Sequence, residues 1–117
     1  MEVHMFHWLI ILLLLPLPLL GINLEVQNRL SQDVNLHIAG EGAKVSHRMV
    51  SPHQSTRSFE LNATQFENRP YFQVICSTGL LSNPDLGVCT KLDARKNHVI
   101  LIDETEMGHI MECITLE

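Results

Sequence analysis

The chain carries no lysine or arginine before Arg29, no basic cluster after it, a single tryptophan and a single long apolar run. Without clustered cations it has nothing to grip a phosphate backbone or an anionic membrane surface, so nucleic acid and polybasic lipid binding are not expected. After Leu20 no stretch approaches the roughly 20 apolar residues that a membrane-spanning helix needs. No Cys-x-x-Cys accompanies the three cysteines, and no histidine pair stands at ligand spacing, which argues against zinc. Gly40-Glu41-Gly42 opens no helix and so forms no phosphate cradle. The serines have no base at a spacing that suggests a catalytic triad. An enzyme is therefore not expected, nor a cofactor.

What is present begins with the apolar run itself. Leu9 to Leu20 is broken only by Pro16 and Pro18 and closes on Gly21. About 12 residues is too short to span a bilayer and suits the apolar region of a secretory signal peptide. Positive charge ahead of it comes only from the amino terminus, His4 and His7, and Gly21 or Asn23 marks the best place for a cut. The expectation is a signal peptide over 1–23 and one secreted, extracellular domain over 24–117. A retained N-terminal anchor is the alternative, and two prolines weaken it as a helix. Eight cations face twelve acids in the mature part, a mildly acidic balance with no membrane insertion expected after cleavage.

In an oxidising compartment the cysteines should pair, and three leave one over. Cys76 with Cys113 ties a central strand to the last one; Cys76 with Cys89 closes a loop of about 13 residues. The spare thiol is either buried or bridges two chains, giving a monomer or a disulfide-linked dimer. One sequon, Asn62-Ala63-Thr64, follows an apparent strand and is expected to be glycosylated.

Hydrophobicity through the mature chain repeats every second residue. Leu24, Val26 and Leu30 alternate with Glu25, Gln27 and Arg29, and Val34, Leu36 and Ile38 with Asn35 and His37. Val45, His47 and Met49 share a face, as do Phe59 with Leu61, and Phe72 with Val74 and Cys76. Val88 and Leu92 lie four apart; His98 to Ile102 is continuously apolar, as in a strand covered on both sides; Ile110 to Leu116 alternates again. Alternation of this kind marks strands half-buried against one core. Breakers such as Ser51-Pro52, Asn68-Arg69-Pro70, Gly87 and Gly108 separate the runs, and no window of ten residues after Leu20 reads as an amphipathic helix. The fold is expected to be all-β, a small antiparallel sandwich or compact barrel of about seven or eight strands.

His37, His47, His53, His98 and His109 are scattered and read as ordinary half-exposed residues. His37 falls on the polar face of its strand and His47 on the apolar face of the next, which weakens any pairing between them. Asp103, Glu104 and Glu106 offer carboxylates that calcium would need together with Asp85 or Asp93, but such a run is more often a solvated turn.

Leu24-Glu-Val-Gln-Asn-Arg-Leu followed by Val34-Asn-Leu-His-Ile resembles the opening of the plant self-incompatibility protein homologue family, small secreted β-sandwich proteins. Met49 to Ser55 and then Ser58-Phe59-Glu60-Leu61-Asn62 stand where that family has its third turn and following strand. Pro70-Tyr71-Phe72-Gln73-Val74-Ile75-Cys76 and Glu112-Cys113-Ile114-Thr115-Leu116 resemble its later cysteine-bearing strands. The chain departs from the pattern at Ala39, where the family has a cysteine, and in placing Asp85-Leu86-Gly87 after Cys76. The resemblance implies a non-enzymatic recognition or signalling protein acting on a cell-surface receptor or other extracellular protein, through the loops 40–44, 64–70 and 78–84. The rival readings are a small barrel carrying an apolar ligand, and a disulfide-linked subunit or inhibitor in an extracellular assembly.

Overall fold

The computed structural model describes residues 21–79 and 85–117. The expected signal segment, apart from its last three residues, and residues 80–84 of the third expected loop lie outside them. Eight strands follow in order: β1 (Ile22–Asn28), β2 (Val34–Gly40), β3 (His47–Ser51), β4 (Ser55–Leu61), β5 (Tyr71–Ser77), β6 (Gly87–Asp93), β7 (His98–Thr105) and β8 (Gly108–Thr115). A short 3-10 helix, Ala63–Phe66, links β4 to β5. The strands form two four-stranded sheets, ordered β4-β1-β7-β8 and β3-β2-β5-β6. An all-β sandwich is thus the fold, as the alternation predicts. The first sheet already includes Ile22 and Asn23, two residues earlier than the expected domain start.

Alternation does most of the folding. Leu24, Val26, Val34, Leu36, Ile38, Phe72, Val74, Ile100 and Ile102 all turn inward and are fully buried. Each such side chain leaves water for a gain of about 1.5–3 kcal/mol. Phe66, at the end of the 3-10 helix, enters the same space and stacks on Phe72 with ring centroids 4.4 Å apart. Edge-on to Phe72 at 5.4 Å lies His98, a buried residue rather than the half-exposed one expected. Its Nε2 donates to the Asp93 carbonyl at 2.7 Å and its Nδ1 meets the Thr115 hydroxyl at 3.0 Å. Since a carbonyl only accepts, the proton sits on Nε2.

Four features depart from the simple alternating picture. First, β1 pairs with β7 in parallel, with Val26 opposite Ile100, while the other pairings are antiparallel. Second, Gln73 of β5 faces two residues of β6, Thr90 and Lys91, and Lys91 has a positive φ of 53°. This bulge resets the phase, so Cys89 and Leu92 point inward and Val88 is 39% exposed. Third, β7 is buried on one face only: Val99 and Leu101 look outward and are half-buried. Fourth, β8 runs out of phase with its sequence pattern. Its inward residues are Met111 and Cys113, opposite Ile102 and Ile100, which leaves Ile110 and Ile114 on the outer face.

The chain changes sheet between β1 and β2 and again between β3 and β4, and both crossings meet at Asn28. That side chain is 1% exposed. Its Nδ2 lies within 3.0–3.2 Å of the carbonyls of Gln32, Ser51 and Pro52, and its Oδ1 accepts from Leu30 N at 3.0 Å. One carboxamide therefore satisfies backbone groups of two turns at once. Beside it the Ser51 hydroxyl is buried without a partner.

Asn28→Ala should cost about 3 kcal/mol of stability, because several buried backbone groups lose their partner together. Ser51→Ala should be neutral or stabilise by up to about 1 kcal/mol, since it removes an unpaired hydroxyl from the core. Urea unfolding of the two variants beside the parent checks both, and a costly Ser51→Ala would refute the assignment.

Candidate recognition surface

Two connections, β2–β3 and β4–β5, meet the β6 bulge at one end of the sandwich. Asn62 caps the 3-10 helix: its Oδ1 accepts from Gln65 N at 3.3 Å, while Gln65 Oε1 accepts from Asn62 N at 2.8 Å. This reciprocal capping orients the turn, and Glu67 and Asn68, both at positive φ, end it. The segment then lies against the β2–β3 loop. A Cβ on Gly40 would stand 2.2 Å from the Phe66 carbonyl oxygen, so only glycine permits the contact. Lys44 N donates to Glu67 Oε2 at 2.9 Å, Glu41 N to Tyr71 O at 2.8 Å, and Lys91 N to Glu41 Oε1 at 2.7 Å. Two of the three expected recognition loops, 40–44 and 64–70, are thus brought together and braced. The third is not: Thr78 and Gly79 belong to the opposite end, and residues 80–84 lie outside the described ones.

That opposite end is acidic. Asp33 accepts from both the backbone and the ring of His53, each at 2.9 Å, and these bonds hold its carboxyl below the ordinary range. Thr78 does the same for Asp85, through its hydroxyl and its N–H at 2.9 Å. Asp103 meets Arg29 at 3.6 Å. A lowered carboxyl pKa stabilises the fold above the ordinary carboxylate range and fades as pH falls through the lowered value. These carboxylates are exposed, so solvent keeps the contribution small. Asp93, which the sequence grouped with Asp103 as a possible calcium ligand, sits at the other end, held by Arg95 at 3.2 Å. His37 and His47 do not face each other, for their cross-strand partners are Arg48 and Ile38.

The sulfur chemistry corrects the expected pairing. The disulfide joins Cys89 to Cys113, with Cα atoms 6.0 Å apart, and neither Cys76–Cys113 nor Cys76–Cys89 forms. The reason is strand order. Cys76 lies in β5, an interior strand of its sheet, whereas β6 and β8 are edge strands that overlie each other. The approach is close enough that a Cβ on Gly87 would lie 2.7 Å from Met111 Cε. The β6 bulge supplies the rest by turning Cys89 inward. Cys76 is the free cysteine, fully buried, and burial pushes its thiol up to about 12. It is not at the surface to bridge two chains.

Asn62 is exposed. Thr64 Oγ1 donates to its Oδ1 at 2.5 Å, a contact internal to the sequon. Among the described residues the space between the sheets is occupied by the apolar side chains named above. Two depressions open on the surface: one of about 320 Å³ lined by Asn28, Arg29, Gln54, Ser55 and Thr56, and one of about 560 Å³ by Ile22, Arg95, Lys96 and Leu116 with their neighbours.

No protein-family model matches the chain, and no curated protein sequence matches it. Among solved structures, the C-terminal domain of AlgF from P. aeruginosa is similar, with a TM-score of 0.50 at 17% identity. The alignment covers 82% of this chain and 98% of that domain. At that identity the likeness is one of fold alone.

Two outcomes follow for the cysteines. Iodoacetamide at pH 8 should leave the folded protein unlabelled and add one group, on Cys76, once denaturant is present. A Cys89→Ser, Cys113→Ser double variant should lose about 3.5 kcal/mol, as the chain-entropy relation gives for a loop of this length. Labelling of Cys76 in the native state, read by peptide mass, would overturn the assignment.

Proposed function

We propose that the chain is a small secreted, non-enzymatic recognition protein that acts on a cell-surface receptor or another extracellular protein. The carrying observation is the braced loop end: segments from β2–β3, β4–β5 and the β6 bulge are fastened to one another by hydrogen bonds on a rigid sandwich. Loops fixed in this way lose little entropy on meeting a partner, and binding residues concentrate on such loops. The resemblance to the self-incompatibility homologues supports the same reading. The Cys89–Cys113 bridge suits an oxidising compartment, which favours export directed by the N-terminal apolar segment. A signal cut near Gly21 keeps Ile22, buried and paired with Leu61, in the sheet; a cut after Asn23 would remove it. Asn62, exposed at the cap of the 3-10 helix, is the glycosylation site in this reading. Filled space between the sheets disfavours the carrier alternative.

The experiment applies the purified, fluorescently labelled secreted chain to intact cells of the organism that makes it. Saturable, protease-sensitive binding, with no apolar molecule in an organic extract of the folded protein, is the expected result. Binding that never saturates, or a stoichiometric extracted lipid, would defeat the recognition reading.

A further inference from the structure

The β7–β8 hairpin runs past the body of its sheet. β1 accompanies β7 only as far as Asn28 opposite Ile102. Beyond that point Asp103, Glu104 and Thr105 pair with Ile110, His109 and Gly108, and no third strand joins them among the described residues. The ribbon is nonetheless stiff. Thr105 Oγ1 donates to Gly108 O at 3.0 Å and accepts from Met107 N at 3.2 Å, closing the tip on itself. Arg29 holds Asp103, and Met111 rests against Gly87.

On this stiff tip Met107 is 99% exposed, and Ile110 is 52% exposed because β8 runs out of phase with its own pattern. Large apolar side chains held in water are what a contact surface offers, and methionine adapts its shape to the pocket it enters. The surrounding charge says what kind of pocket. Glu106 adjoins Met107 and Glu112 shares the outer face with Ile110; the hairpin carries no lysine or arginine, neither glutamate makes an ion pair among the described residues, and the nearby Arg29 is already paired with Asp103. Such a rim repels phosphate-rich surfaces and attracts cationic ones. The hairpin also lies at the end of the sandwich away from Asn62 and the braced loops, so it is a contact surface separate from them.

We infer that the β7–β8 hairpin docks the chain on a partner protein, seating Met107 and Ile110 in an apolar pocket edged by lysine or arginine side chains. This rests on the recognition reading and adds to it a second contact surface with the partner's chemistry. The test repeats the cell-binding measurement with the full secreted chain and three variants. These are Met107→Ser with Ile110→Ser, Glu106→Lys with Glu112→Lys, and Arg57→Ala on β4, away from both the hairpin and the loop end. All the substituted side chains are exposed, and circular dichroism with an intact disulfide confirms folding.

The two hairpin variants should each weaken binding by about tenfold or more, and the Arg57 variant by less than about twofold. Parent binding should also weaken as salt rises, since the charged rim is exposed. Parent-like binding by both hairpin variants would overturn the hairpin assignment and leave the recognition reading standing. Absence of saturable binding by the parent would overturn both. Sedimentation showing that the chain associates with itself through the hairpin, with the hairpin variants monomeric, would replace the foreign partner by a second copy.

Discussion

At the end of β1 the chain leaves one sheet for the other, and at the end of β3 it comes back; the Asn28 carboxamide ties both crossings together. A sandwich is two independent amphipathic layers until something fixes their relative position. Hydrophobic burial alone does not do so, because it is non-directional and tolerates sliding. A buried amide with all its groups bonded does, since any shift of one turn against the other leaves backbone carbonyls unpaired in the core. The opposite side of the sandwich is fixed covalently, where Cys89 and Cys113 join the edge strands β6 and β8. One polar clasp and one disulfide thus bound the apolar core laterally.

Much of this was legible from residue alternation. Leu24 with Val26, Leu36 with Ile38, and Phe72 with Val74 declare their inward faces without help from tertiary structure. What the pattern could not declare was pairing. Nothing in a period of two says that β1 takes β7 as a parallel neighbour, which leaves β8 at one sheet's edge, or that β5 lies between β2 and β6, which leaves β6 at the edge of the other. The cysteine partnership follows from that arrangement and was misread without it. The Lys91 bulge was hidden for a different reason: one inserted residue flips the phase, so Val88 and Leu92 appeared to share a face that Cys89 in fact occupies. On β8 the pattern was present but its sense was reversed: Met111, half-buried, and Cys113, bonded to Cys89, face the other sheet, and Ile110 and Ile114 face outward.

The candidate surface was legible only in part. Gly40 and the turn-rich 64–70 segment marked themselves as loops, and strand direction then placed them at one end together. Their bracing by Glu41 and Glu67 had no sequence signal, since a surface glutamate looks alike whether free or bonded. The Asn62 to Gln65 spacing was the one clue to the short helix between them. Met107 was equally unannounced: a methionine beside glycine in an acidic turn carries no sign of how far the ribbon projects.

The parallel pairing has a consequence for how the molecule is made. β1 emerges first and occupies the middle of its sheet, between β4 and β7. Its second neighbour begins at His98, some seventy residues later in the chain, and the edge strand that carries Cys113 comes later still. A growing chain can form the β2–β3 hairpin and pair β5 with β2 early, but the sheet containing β1 stays half-built until those last segments arrive. Completion therefore falls to the end of synthesis, and contacts so distant in sequence close slowly. Until then the apolar face of β1 is only partly covered, and the bond between Cys89 and Cys113 cannot form before the last strand has been made.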